Sequence, residues 1–309
     1  VARLHPNGLL DTSFHSGAPA INNVLCMAFQ SDGKILLGGS FATYNGVAHV
    51  GITRVLANGR RDTSFHPGTG APGSVETITL EPDGKILIAG LFSTYNNIAR
   101  NKVARLLPNG TLDTSFDPGT GASQYIMSSK RQPDGRYILA GEFATFNGMN
   151  RKRVVRLLSD GSVDPSFDPG TGAANVVSTS ELLSDGKILL GGLFTTFNGT
   201  AQKYITCLNA DGSLATSFNV GGLSASAQIS EILVQPDGNI LVGGLFTSFN
   251  GASRNRLVRI KGQTTTEVAT QLESDGIALF PNPAEGQTML QNSRPVPVRF
   301  VVREMMGRQ

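Results

Sequence analysis

The 309-residue chain contains no tryptophan, only two cysteines and four histidines, and just 16% of its residues are charged. Each shortage removes a class of protein. Low charge together with 37 glycines argues against a coiled coil or a disordered chain and fits a turn-rich, all-β exterior protein. Cys26 and Cys207 stand far apart, with neither the spacing of a disulfide framework nor that of a zinc site. They are read as two buried thiols, a bridge between them being the lesser alternative. No apolar run reaches the length of a membrane-spanning helix. The net charge of +3 is small and dispersed, and Arg151-Lys152-Arg153 beside Asn147-Gly148 reads as a solvated loop. A nucleic-acid partner would need a basic stripe with stacking aromatics, so none is expected.

What the chain does have is one unit of about 51 residues, written five times. Its anchor is an Asp-Gly turn at Asp32, Asp83, Asp134, Asp185 and Asp237. A second anchor keeps the same spacing: 11–14, 62–65, 113–116 and 164–167 end in Ser-Phe after an Asp, and 215–218 is a degraded copy. A fixed period of this length marks a repeat architecture, in which each unit buries its apolar face against its neighbours.

The second unit shows the local reading. Residues 75–80 alternate as a half-buried strand, and Pro82-Asp83-Gly84 turns the chain. Residues 85–90 are apolar on both faces and belong inside a sheet. Asn-Gly pairs at Asn45, Asn147, Asn198 and Asn250 (Asn96-Asn97 here) signal a hairpin. A third strand is expected over 102–107 and a short fourth over 111–116, leading into Pro118-Gly119-Thr120-Gly121-Ala122. Four antiparallel strands and no helix describe a β-propeller blade, with a β-solenoid as the alternative. Phe41, Phe92, Phe143, Phe194 and Phe246 then pack between blades, and the small pairs before them, such as Ala89-Gly90, let backbones approach closely. The Arg-Leu strand occurs six times, from 1–4 to 257–260, so the first complete blade is preceded by a partial one. Because 1–4 matches the interior of later units, upstream sequence is expected.

Arg3, Arg54, Arg105 and Arg156 are each followed eight residues later by Asp11, Asp62, Asp113 or Asp164; in the fifth copy both change together, to Cys207 and Ala215. A three-residue loop with a bulged glycine sets Arg105 opposite Asp113, which predicts structural ion pairs. The alternative is that each Asp only stabilises its own turn.

A search for chemistry finds little. The Pro-Gly-Thr-Gly-Ala loops lack the Lys-Ser/Thr and the following helix of a phosphate cradle. One Asp per turn is not a calcium cage, and the slot His15, His66, Asp117, Asp168, Asn219 spreads its members over separate blades. No Gly-x-Ser-x-Gly, His-Glu-x-x-His or zinc-spaced cysteine pair occurs. No cofactor or metal is expected. The irregular residues are Arg131 and Glu142, charged at slots that are apolar or Ser elsewhere; each must be exposed, paired or lining a wet site. They are the candidate binding residues.

After Gly262 the period stops. Residues 263–276 form a polar linker, and 277–309 carry Leu279-Phe280-Pro281-Asn282-Pro283-Ala284, Gly286, an alternating stretch over 296–302, and a late Gly307-Arg308. This segment resembles the C-terminal sorting domain of the type IX secretion system of Bacteroidota-like bacteria, cut short. The resemblance implies a partial β-sandwich-like tail, the secretion machinery as partner, and a secreted or outer-membrane surface address in a Gram-negative bacterium. The pattern over 1–262 resembles the delta-60 β-propeller repeats, found in large exported bacterial proteins and largely without assigned function. Kelch repeats share the length and the Gly-Gly pair, but their Trp is missing here. Fold does not supply function. The expectation is an exported, non-enzymatic surface interaction or adhesion module for an unknown protein or glycan ligand. The alternative is an extracellular enzyme acting on glycans or peptides, with catalytic residues upstream or in the propeller channel.

Overall fold

The computed structural model describes residues 1–15, 17, 22–218, 223 and 227–261, together with strands Ile277–Phe280 and Met289–Asn292. The chain divides into two compact units, Val1–Gly262 and Gln263–Gln309. Among the described residues there is no α-helix, and no helix long and apolar enough to cross a membrane.

The first unit is a β-propeller of repeated small antiparallel sheets. Repeat 2 has an inner strand Val75–Leu80, a middle strand Ile86–Gly90 and an outer strand Val103–Leu106, paired in that order. Repeats 1, 3, 4 and 5 repeat this sheet, with inner strands Val24–Phe29, Ile126–Arg131, Val177–Leu182 and Gln228–Val234. Successive inner strands touch one another, which sets the sheets side by side as blades. The middle strands of repeats 1 to 4 are buried along their whole length, as their two-sided apolar pattern requires.

The core lies between blades. One cluster joins Leu36 and Ile52 of repeat 1 to Ile86, Ile88, Phe92 and Tyr95 of repeat 2. The next joins Leu87 and Ala89 of repeat 2 to Leu139, Phe143 and Phe146 of repeat 3. All five repeat phenylalanines, Phe41 to Phe246, are at most 2% exposed. Each buried ring of this size contributes roughly 1.5–3 kcal/mol. The glycine closing the middle strand of repeats 1 to 4 has a steric reason: a Cβ on Gly90 would stand 2.1 Å from the Ser74 carbonyl oxygen, beside a bulge between Val75 and Thr77.

Two segments differ from the sequence expectation. The Asn-Gly hairpin forms its own two-stranded ribbon, Thr43–Tyr44 with Val47–Ala48 in repeat 1, outside the main sheet. The fourth segment joins the outer strand by a single bridge, Leu106 with Leu112, rather than by a ladder. The cause is local: the Asp113 side chain accepts from the Ser115 amide at 3.0 Å and turns the chain away from the sheet. The partial blade makes the same bridge, Leu4 with Leu10, but Leu4 is 61% exposed where Val55, Leu106, Leu157 and Leu208 are fully buried.

In the second unit, Ile277–Phe280 pairs antiparallel with Met289–Asn292. Leu279 and Phe280 lie on the first of these strands. The rest of the sorting motif, Pro281 to Ala284, Gly286, Gly307 and Arg308, lies outside the described residues, as do the linker 263–276 and the stretch 296–302.

Candidate functional site

The turns that connect the strands build the chemistry of this molecule. At the end of the outer strand in repeats 1 to 4 a three-residue loop, such as Pro108-Asn109-Gly110, closes with Leu107 N–H donating to the Thr111 carbonyl at 2.8 Å and Gly110 at φ +88°. That loop places Arg105 directly opposite Asp113. Arg105 Nε donates to Asp113 Oδ2 at 2.8 Å, and the same contact recurs at Arg3–Asp11, 2.7 Å, Arg54–Asp62, 2.8 Å, and Arg156–Asp164, 2.8 Å.

Each guanidinium does more than the sequence spacing indicated. Arg105 Nη2 reaches Ser115 Oγ at 3.2 Å, and its carbon lies 5.0 Å from the centre of the Phe116 ring, a cation–π contact. Its Nη1 donates to the Ser159 carbonyl of the next repeat at 2.5 Å. Arg3 reaches Ala57, Arg54 reaches Pro108 and Arg156 reaches Ala210 in the same way. The four-residue Asp-x-Ser-Phe motif is thus a socket for one arginine, and the arginine ties consecutive blades. The residue after each Phe adds a backbone tie: the amides of His15, His66, Asp117 and Asp168 donate to Asn58, Asn109, Asp160 and Asp211. Asn219 lies outside the described residues. Among the described residues no group of three or more potential metal ligands comes together.

These contacts set the protonation of the sockets. At Asp62 burial alone would raise the carboxyl, but the Ser64 hydroxyl and amide and the Arg54 guanidinium more than offset it, holding the group at about 2. At Asp11 the Ser13 hydroxyl leads, with Arg3, to about 2. Asp113 and Asp164 are lowered by the same balance. In the fifth copy, burial pushes the Cys207 thiol up to about 12, so the substitute is uncharged.

Repeat 3 departs from its siblings. Tyr137 stands where they carry Ile, and its hydroxyl donates to Glu81 Oε1 at 2.5 Å. Arg131 turns toward the same carboxylate, Nε to Glu81 Oε2 being 4.0 Å, yet that Nε is buried without a hydrogen-bond partner. Glu142 is not part of this group. Arg131 pairs with Tyr137 at one end of the strand pair, and Glu142 follows Gly141 at the other, about 17 Å away by strand rise. The two candidate binding residues therefore do not form one site.

Next to Arg131, Gln132 is 6% exposed and its side-chain oxygen has no partner. It borders a cleft of about 520 Å³ between the turns of repeats 3 and 4, lined also by Asp134, Arg136, Ser166, Gly186 and Asp211. Sequence reasoning missed this cleft. Gln132 looks ordinary beside Gln30 and Gln235, and only the packing reveals that it alone lacks a donor.

The family description that matches the chain is "Domain of unknown function (DUF5122) beta-propeller", over residues 30–65, 81–116, 132–167, 183–218 and 235–262. No curated protein matches it. Among solved structures, PorZ, a bacterial surface component of the type-IX secretion system of Porphyromonas gingivalis, is 14% identical with a TM-score of 0.50, over 89% of this chain and 37% of that one. The extracellular domain of the one component system BT4673 from B. thetaiotaomicron is 17% identical with a TM-score of 0.45, over 73% of this chain and 26% of that one. The Neurospora crassa Pan2 WD40 domain is 15% identical with a TM-score of 0.47, over 84% and 64%. The chain spans less than two thirds of the length of each of these structures, and at such identities the likeness bears on fold alone. The family match falls on every complete repeat and on more than half of the chain, and the chain belongs to the DUF5122 β-propeller family.

Proposed function

We propose that this chain is the propeller part of an exported protein and works at the surface of a Gram-negative bacterium as a binding module rather than as an enzyme. The observation that carries the reading is the state of its carboxylates. A general acid or base needs a group that titrates near the working pH. The aspartates of the Arg sockets, and Asp83 and Asp185 of the Asp-Gly turns, are tied up in structural hydrogen bonds that hold their carboxyls low. Those groups are permanent acceptors that fix turns and blades. The address rests on the resemblance of 277–309 to a sorting domain, with the type IX machinery as the partner of that segment.

The test is to produce the full chain, and the chain lacking 277–309, in a bacterium with a type IX system. Cell fractions are then assayed for location and for binding and cleavage of surface polysaccharides and peptides. The full chain is expected outside the cell, binding without releasing products, and the shortened one in the periplasm. Equal secretion of both would refute the address, and released cleavage products would refute the binding role.

A further inference from the structure

The two ends of the outer strands treat cations differently. At the three-residue loops, Arg3, Arg54, Arg105 and Arg156 sit in their aspartate sockets, and Lys34, Lys85 and Lys187 each hold the aspartate of an Asp-Gly turn. The opposite end, where the hairpin ribbon leads into the outer strand, carries eight cations. They are Arg100 and Lys102 in repeat 2, all of 151–153 in repeat 3, Lys203 in repeat 4, and Arg254 and Arg256 in repeat 5. Among the described residues none of the eight has a carboxylate partner. Neutral oxygens steady the guanidiniums instead: Arg100 Nη1 donates to the Ala99 carbonyl at 2.8 Å, Arg151 to that of Asn150 at 3.0 Å and Arg254 to that of Ser253 at 2.9 Å. These charges are oriented but not neutralised.

The backbone adds an independent sign. The residue before each outer strand is left-handed: Gly51 at φ 76°, Lys102 at 70°, Arg153 at 71°, Tyr204 at 69° and Arg256 at 67°. Glycine serves the fold in repeat 1, yet three repeats place a long cation in a conformation that disfavours side chains. Neighbouring segments are also joined. Asn101 Nδ2 donates to the Thr120 carbonyl at 2.9 Å and the Asn147 amide to the Gly121 carbonyl at 2.8 Å, so one connector links the cations of repeat 2 to the ribbon of repeat 3. The few acids close by are occupied: the Asp117 and Asp168 carboxylates accept from the Gly119 and Gly170 amides at 3.0 and 2.9 Å.

This arrangement selects its partner by charge. A small anion reaches one segment, whereas cations on four successive blades suit a chain that carries anions at intervals of its own. An anionic membrane would call for an apolar stripe beside the cations. Ile98 and Met149 are exposed on ribbons 2 and 3, but Thr200 and Ala252 take their place in repeats 4 and 5. A nucleic acid would call for exposed stacking rings, and the ring in these segments, Tyr204, is 6% exposed. We propose that the ribbon-side rim of repeats 2 to 5 is a docking surface for an acidic polysaccharide, one of uronate or sulfated sugars. The assignment rests on the binding-module reading and gives it a ligand class.

The experiment is biosensor binding of the full chain to polygalacturonate, alginate and chondroitin sulfate, at about 50 and 150 mM salt. Dextran, double-stranded DNA and phosphatidylglycerol vesicles form the other arms. Sibling repeats supply variants that the fold already carries: Arg151→Gln copies Gln202, Lys152→Asn copies Asn101 and Arg153→Gly copies Gly51. The triple variant is expected to keep its urea midpoint. It should bind at least one acidic polysaccharide about tenfold more weakly, with a shallower salt dependence. Lys152 is exposed, so Lys152→Asn alone repeats the test without touching packing. Its loss is expected to be about threefold, whereas Arg60→Thr, one charge removed at the opposite end, should change binding by less than about twofold. No binding to any acidic polysaccharide at the lower salt, equal binding to dextran, or tighter binding to DNA or to vesicles would overturn the assignment. So would acidic-polysaccharide binding unchanged in the rim variants. Cleavage of the polymer would instead sink the binding-module reading, and neutral-polymer binding that ignores the rim would leave that reading standing and sink the rim alone.

Discussion

Arg105 makes the strongest case at the scale of a single residue. Its side chain and that of Asp113 are each 7% exposed, and its three nitrogens reach Asp113, Ser115, Tyr137 and Ser159. Removing one partner strands a buried charge, so Arg105→Ala or Asp113→Ala is expected to cost about 3–5 kcal/mol in urea unfolding. The double variant should lose much less than the sum, and strict additivity would show that the two do not interact. Acid should act on the same sockets. A carboxylate lowered in the folded state adds stability above its unfolded value, about 4. It loses that contribution as pH falls through the folded value, about 2 for Asp62. Stability should therefore hold from pH 7 to about 5 and fall between about 4 and 2, less steeply in Asp62→Asn; an unchanged slope in that variant would refute the assignment. The pairing itself was readable in the sequence because Cys207 and Ala215 replace both members at once. The forward reach of Arg105 to Ser159 was not, since a contact 54 residues away depends on how two blades dock.

Among the elements, the hairpin ribbons show what a turn demands of its residues. Asn45 and Gly46 adopt φ of 50° and 73°, and Asn147-Gly148, Asn198-Gly199 and Asn250-Gly251 do the same. Both central positions are left-handed, as in a type I′ turn, which is why Asn-Gly marks hairpins so well in sequence. Repeat 2 places Asn97 at the second position with φ 63°. A side chain there is strained by up to about 1–2 kcal/mol, less for asparagine than for most residues. Asn97→Gly should stabilise the protein by a few tenths to about 1 kcal/mol, visible as a higher urea midpoint at unchanged slope; a lower midpoint would show that the Asn97 side chain has a role of its own. The ribbon's separation from the main sheet, and the reduction of the fourth segment to one bridge, were not legible. Strand propensity over 111–116 is real, but the Asx turn at Asp113 competes with the ladder and wins through the Ser115 amide and hydroxyl, at 3.0 and 2.6 Å.

Across the whole propeller, stability is a chain of nearest-neighbour interfaces, which the period of about 51 made plain from the start. Phe143 packs with Leu87 and Ala89 of repeat 2 as well as with its own blade. Phe143→Ala is expected to cost about 3–5 kcal/mol. In hydrogen exchange, protection should fall most in repeats 2 and 3 and least in repeat 5, whereas a uniform fall over all repeats would mean that the unit unfolds as one.

The arginine ties also have a direction. Each reaches forward 54 residues to a carbonyl of the next repeat, from Arg3 to Ala57, Arg54 to Pro108, Arg105 to Ser159 and Arg156 to Ala210. A chain is made from its N-terminus, so a newly emerged arginine finds its aspartate eight residues later but waits a whole further period for its carbonyl. Assembly then trails synthesis by one unit, and each of repeats 1 to 4 acts as the latch on the unit before it. A ribosome stalled within the first four repeats would hold its latest blade unlatched and every earlier one closed.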